Sequence, residues 1–196
     1  MDSTSLNSLR VNIDLAFRSI SDITNLDIAP DSFENLVLQE SIFWSNQLTI
    51  WIEYIRQDLA AICPDLVRKI DSFSIGLQFT DDFSITKLNK EWRQKPISTD
   101  VLSFPVFDSS LVQPGNNHAE LGDIVVSIPT AQKQALEQKH KLSIELRWLV
   151  SHGLLHLLGW DHSDERTLED MLKYQEQLLG ISVNLSSEGI EAVQIL

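Results

Sequence analysis

The chain has 196 residues, with 28 acidic against 15 basic side chains, a formal net charge of −13 at pH 7 and one cysteine, Cys63. This length suits one domain with a sizeable core, the charge argues against a uniformly basic nucleic-acid-coating body, and a lone cysteine forbids an intrachain disulfide and favours a reducing compartment. The stretch Met1 to Leu6 lacks a basic region followed by an apolar run, and the uncharged run Ser41–Ile52, at 12 residues, falls short of the ~20 needed to span a bilayer; a cytoplasmic protein with no membrane partner is expected.

In chain order, Leu9 to Leu15 alternates apolar and polar residues, the period of a half-buried strand. Residues 16–45 are mixed in composition and read as an irregular or partly helical N-terminal extension or insertion. From Gln47 to Ile62, apolar residues recur at helical spacing (Leu48, Trp51, Ile52, Ile55, Leu59, Ile62), ahead of Pro64. Phe73 to Phe79 alternates as a strand, and Thr80 and Asp81 offer caps for a helix from Asp82 to Gln94. Val101 to Val106 is a short strand whose Pro105 favours an edge or a strand end.

Asp108 to Asn117, rich in Ser, Pro, Gly and Asn, reads as a loop, and Leu121 to Ser127 as a strand. Pro129 suits a first helical position, with that helix running to about Lys139. Ser143 begins a helix that stops near Gly159, and Ser163, with Asp164 and Glu165, starts a last one that closes at Gly180. Residues 181–196 read as a peripheral tail. The order predicts an α/β (α+β) fold: one compact domain over residues 1–196, with a mixed sheet of about four strands. Strands 101–106 and 121–127 form its antiparallel pair, and the helix from Ser143 lies buried in the middle.

Charge is uneven along the chain. Residues 1–45 and 163–196 each carry a net −5, whereas Lys87, Lys90, Arg93 and Lys95 face only Glu91. That cluster is a candidate phosphate-contacting strip; the plainer account is a solvated helix face.

The segment from His152 to His162 gathers three of the five histidines into eleven residues. His152 and His156 stand four apart, so on a helix their Cβ atoms lie roughly 5–6 Å apart on one face. Gly159 can end that helix with positive φ, and the turn can return His162 toward the other two. The surrounding Leu146, Leu149, Val150, Leu154, Leu155, Leu157 and Leu158 make this a buried helix, where unpartnered imidazoles cost free energy. One metal ion would satisfy all three rings and leave a fourth position open, the pattern of a catalytic rather than a structural zinc. Asp161 is either a support behind these ligands, a fourth ligand or proton acceptor, or a turn carboxylate near Ser163.

The spacing of these histidines and Gly159 also matches the long metzincin protease motif, which places a glutamate base after the first histidine. Gly153 occupies that position and cannot take a proton, and Met171, inside a predicted helix, offers no methionine turn. A metalloprotease is therefore the weaker reading.

Three blocks, taken together, resemble the YbeY family of rRNA maturation endoribonucleases. They are Leu88-Asn89 with Arg93 and Thr99 to Pro105; Leu121 to Ser127; and His152-Gly153, Leu155-His156-Leu157, Gly159 and Asp161-His162. The resemblance implies one Zn2+ per chain held by His152, His156 and His162, with His152 and Arg93 catalytic and Arg93 contacting RNA. It implies cleavage of single-stranded RNA in late maturation of the small-subunit rRNA 3′ end, and ribosome quality control. The implied partners are the rRNA precursor, the ribosome or its small subunit, and assembly factors. Lys90 and Lys95 are further candidate substrate contacts. Trp160 stands where the family usually has tyrosine, and residues 16–45 and 108–117 exceed its compact pattern.

The physical account agrees with this resemblance. A metal with an open position stabilises negative charge on phosphoryl oxygens, and arginine holds a phosphate bidentately, which makes Arg93 the preferred clamp. The acidic balance and the missing general base keep one alternative open: a ribosome-assembly factor whose metal is mainly structural.

Overall fold

Period-two patterning in Ser72–Thr80 buries Phe73, Ile75, Leu77 and Phe79 while leaving Ser74, Gly76 and Gln78 half-exposed, so this central strand has one dry face and one wet face. The computed structural model describes residues 11–20, 32–106, 117–186 and 189–194. Its elements are β1 (Asn12–Arg18), α1 (Phe33–Gln39), α2 (Ser41–Gln57), β2 (Ser72–Thr80), α3 (Asp82–Arg93), β3 (Val101–Pro105), β4 (His118–Ser127), α4 (Ile128–Gln138), α5 (Leu142–Leu157), α6 (Glu165–Leu179), β5 (Ile181–Ser186) and β6 (Gly189–Gln194).

The four-stranded sheet has the order β1-β2-β4-β3. β1, β2 and β4 run parallel and β3 pairs antiparallel with β4, which places Pro105 on an edge strand, where its missing N–H is tolerated. This is the α+β, mixed four-stranded architecture expected from the pattern.

On the dry face, Trp44, Leu48, Trp51, Ile52 and Ile55 of α2 and Leu146, Val150 and Leu154 of α5 join the inward residues of β2 and β4 in one apolar cluster. The buried indoles remain paired: Trp44 Nε1 donates to the Val37 carbonyl at 2.7 Å and Trp51 Nε1 to the Leu178 carbonyl at 2.8 Å. α5 is the central helix of this layer and contacts β3, β4, α1, α4 and α6. At Gly153 it comes so near β4 that an added Cβ would lie 2.7 Å from Ile124 Cγ2. The opposite face carries a smaller cluster, in which Ile85 and Leu88 of α3 pack on Leu102, Phe104 and Val125.

Several boundaries differ from expectation. Within residues 16–45, β1 continues to Arg18, α1 spans Phe33–Gln39 and α2 begins at Ser41. Val37, Leu38, Phe43 and Trp44 there are fully buried core residues, so the described parts of this stretch are not an appendage. The helix expected over 47–62 stops at Gln57, where Arg68 donates from its guanidinium to the carbonyls of Ile55 (3.4 Å) and Arg56 (2.7 Å), satisfying acceptors that a longer helix would have used. Leu59, 88 % exposed, therefore belongs to no apolar face.

Capping also shifts. Lys141 is the N-cap of α5, and Ser143 instead donates to Glu34 Oε1 of α1 at 3.1 Å. Asp164, not Ser163, caps α6 through a capping box with Thr167. Ser127 caps α4, with Pro129 one residue into the helix. The tail forms an antiparallel pair of its own, β5 with β6, apart from the main sheet. Leu9, Arg10 and the expected loop from Asp108, as far as residue 116, lie outside the described residues.

Candidate metal centre

α5 carries His152 and His156 on one face and ends in a Schellman turn: Gly159 N–H bonds to the His156 carbonyl (3.0 Å) and Trp160 N–H to the Leu155 carbonyl (3.0 Å). Gly159 has φ +92° and no atom stands within 4 Å of where its Cβ would be, so glycine is required here by conformation rather than by space. The turn is fastened by Trp160, whose indole stacks on Tyr174 with centroids 4.9 Å apart and donates to the Ile62 carbonyl at 2.8 Å. His162 is thereby carried back to the other two rings: its centroid lies 5.6 Å from that of His152 and 5.2 Å from that of His156.

One ligand nitrogen from each of the three histidines falls within 4.8 Å of the others, and no other such group of His, Cys, Asp or Glu occurs among the described residues. The hydrogen-bond partners fix the tautomers. Buried Gln175 donates from Nε2 to the Trp148 carbonyl (2.7 Å), which turns its Oε1 toward His152 Nδ1 at 3.2 Å. His156 Nδ1 faces the Trp160 carbonyl at 2.8 Å. Both Nδ1 atoms therefore carry hydrogen, because amide and carbonyl oxygens only accept. The two Nε2 lone pairs are left facing one another at 3.1 Å. Opposed lone pairs at that separation repel unless a cation lies between them, and partners of this kind behind the ring are what orients metal-binding histidines. The donor set fits a metal ion.

Electrostatics point the same way. Burial, followed by the neighbouring His156 ring, pulls the pKa of His152 down to about 4. That of His156 is lowered by burial, opposed by its bond to the Trp160 carbonyl and assisted by the positive charge of Arg93. Neutral imidazoles are the form that ligates.

The structure treats the other candidates unequally. Arg93, at the C-terminal end of α3, lines a cavity of about 360 Å³ together with Ser103, Pro105, His156 and Asp161, so one cation shares a space with one of the three histidines. Exposed Asp161 accepts the backbone N–H of His162 at 2.9 Å and holds the turn. It stands outside the three-histidine group. Lys90 and Lys95 are exposed and line neither this cavity nor the larger one beside α3.

Two further residues support the site: Gln175, to which the sequence did not point, and Asp100, which lies inside the Thr99 to Pro105 block. Gln175 lies 23 residues beyond His152 on another helix, and its only sequence signal is a polar residue on the apolar side of α6. Asp100, held by Val101 N–H (2.8 Å) and Gln134 Nε2 (2.9 Å), sends a negative field to His152.

Residues 44–181 match the family model described as Endoribonuclease YbeY. A protein of that description from Prochlorococcus marinus (strain MIT 9313) is 50% identical over 182 residues, covering 93% of this chain and 97% of that protein. Another, from Synechococcus sp. (strain CC9311), is 53% identical over 177 residues, covering 90% and 99%.

Proposed function

The chain belongs to the YbeY endoribonuclease family, and from that premise we propose that it is a metal-dependent endoribonuclease cleaving single-stranded RNA beside its histidine cluster. The observation that carries the reading is the pair of Nε2 atoms held 3.1 Å apart with both Nδ1 atoms engaged behind them. His152, His156 and His162 would hold one ion per chain, and three imidazoles with no cysteine in the group support Zn2+. When bound, the ion supplies Lewis-acid stabilisation of the charge that builds on the phosphoryl oxygens. Arg93 binds those oxygens through its planar fork and keeps the phosphate over the cluster. Gln175 and the Trp160 carbonyl hold two of the rings in the ligating tautomer, and Asp161 fixes the turn that delivers the third.

The family likeness supports a finer role in late maturation of the small-subunit rRNA 3′ end and in ribosome quality control, with the ribosome or its small subunit and assembly factors as partners. Cys63 as the one cysteine supports a cytoplasmic setting. No helix among the described residues is long and apolar enough to cross a membrane.

Metal content and cleavage of a defined single-stranded RNA, measured in parallel, test this function. Wild type should carry about one zinc per chain; His156→Ala, lacking one of three ligands, should lose both metal and cleavage. Arg93→Ala should keep the metal and lose about 100-fold in cleavage, the scale of a removed charge-stabilising donor. Cleavage by Arg93→Ala at the wild-type rate would remove the clamp, and equal zinc in wild type and His156→Ala would remove the site. A wild type that binds zinc but leaves RNA intact would favour the assembly-factor reading.

A further inference from the structure

The α3 side of the sheet holds a second and larger cavity, of about 810 Å³, whose walls include Arg18, Gln78, Trp92, Arg93, Phe104 and Asp123. Arg93, Ser103 and Pro105 line this cavity and the one at the histidines alike, so the two meet across the edge strand β3. Its floor is Gly76 of β2. A Cβ there would lie 1.9 Å from Asp123 Oδ1, which shows the carboxylate lying across the strand in the space that glycine leaves. Among the described residues, the side chains of Arg18, Gln78, Arg93 and Asp123 make no hydrogen bond or ion pair. Trp92 is 66% exposed and meets Phe104 at 5.7 Å and 69°, an arrangement that leaves an indole face toward solvent.

A flat aromatic face, unpaired cations and an unpaired carboxylate beside a phosphodiester-cleaving centre match the chemistry of a nucleotide. Single-stranded RNA is read by stacking its bases on aromatic side chains and by hydrogen bonds to base edges. An ionised carboxylate only accepts hydrogen bonds. Guanine alone presents two adjacent donors, N1–H and N2–H, on its Watson–Crick edge; adenine and cytosine set one amino donor beside an acceptor, and uracil sets its N3–H between two carbonyl oxygens. We propose that this groove is a base-binding subsite selective for guanine, receiving a nucleotide that flanks the phosphate at the histidines. Trp92 stacks the base, Asp123 accepts from its N1–H and N2–H, and Arg18 and Arg93 hold neighbouring phosphates. The placement next to a cleaved phosphate rests on the endoribonuclease reading; the recognition of guanine does not.

The test therefore has a binding arm and a cleavage arm. In the first, fluorescence anisotropy follows a labelled 2′-O-methylated oligouridine with a single guanosine, and its inosine counterpart lacking the N2 amino group, with integrity checked on a gel. Wild type should bind the guanosine oligonucleotide about tenfold tighter, the scale of one hydrogen bond to a charged group. Asp123→Asn should reduce that ratio to within about twofold, and Trp92→Ala should weaken both oligonucleotides about tenfold through lost stacking while keeping the ratio. In the second arm, unmodified RNA should be cut faster beside guanosine than beside inosine by wild type and not by Asp123→Asn. Equal affinity of wild type for guanosine and inosine, or an undiminished ratio in Asp123→Asn, overturns the subsite even if RNA is cleaved. Guanine-dependent binding without cleavage would support the subsite and defeat the nuclease reading.

Discussion

On the α5 side of the sheet, Phe73, Ile75, Leu77 and Phe79 are sealed beneath α2 and α5, whereas on the α3 side Ser74, Gly76, Gln78 and Asp123 stand half or fully open. The sealed side positions; the open side admits. The histidines need the first property, because rings must meet to within a few tenths of an ångström, and close-packed cores hold side chains that tightly. A flexible single strand needs the second. Arg93 lines the cavities on both sides, and β3, being short and at the edge, is where one side passes into the other.

Filling the closest contact on the sealed side should break this division most severely. With a Cβ at residue 153 already 2.7 Å from Ile124, Gly153→Leu must push α5 off β4 and should lower stability by about 3 kcal/mol, the upper range for overpacking. Urea unfolding measures it, and metal content should fall with it, since His152 is the adjacent residue. An unchanged midpoint would mean that α5 shifts freely, and that packing does not fix the rings. The same contact bears on Gly153 as the residue that excludes a protease base: its position faces the sheet.

A subtler break leaves the packing and removes only the partner behind one ring. Gln175→Leu keeps the volume but deprives His152 Nδ1 of its acceptor, while the Trp148 carbonyl keeps the Ser151 hydroxyl as a donor. Metal affinity, measured by chelator competition, should drop about ten- to a hundredfold, as it does for other residues that orient ligands. Full affinity in Gln175→Leu would show that the backbone of α5 alone aims the ring.

What could be read from the sequence divides along the same line. The histidine trio was visible because its geometry is local: an i, i+4 pair, one glycine able to adopt φ +92°, and a third ring three residues on. The strand periods of β1 and β2 and the Asp81 cap of α3 are local in the same sense. Gln175 was not visible, because its role depends on α6 packing against α5. Nor were the limits of α2: its start is decided by burial of Phe43 and Trp44 against distant elements, and its end by Arg68 returning to the last carbonyls. The groove of Arg18, Gln78 and Asp123 was invisible for a topological reason, since three separated strands must come together to form its floor.

The open side also separates charge that lines a cavity from charge that merely lies near one. Lys90 and Lys95 belong to the same basic run as Arg93, yet only Arg93 reaches a cavity. Exposed charges act on a polyanion over roughly 8 Å at physiological salt and lose that influence as salt rises. The double variant Lys90→Gln, Lys95→Gln should therefore weaken RNA binding by about twofold at 0.15 M salt, with the difference gone at 0.5 M. Direct phosphate contacts would behave otherwise. For single strands, two lost contacts would lower the slope of log affinity against log salt by about 1.4, and a change of that size would move the RNA path from the groove onto the exposed surface of α3.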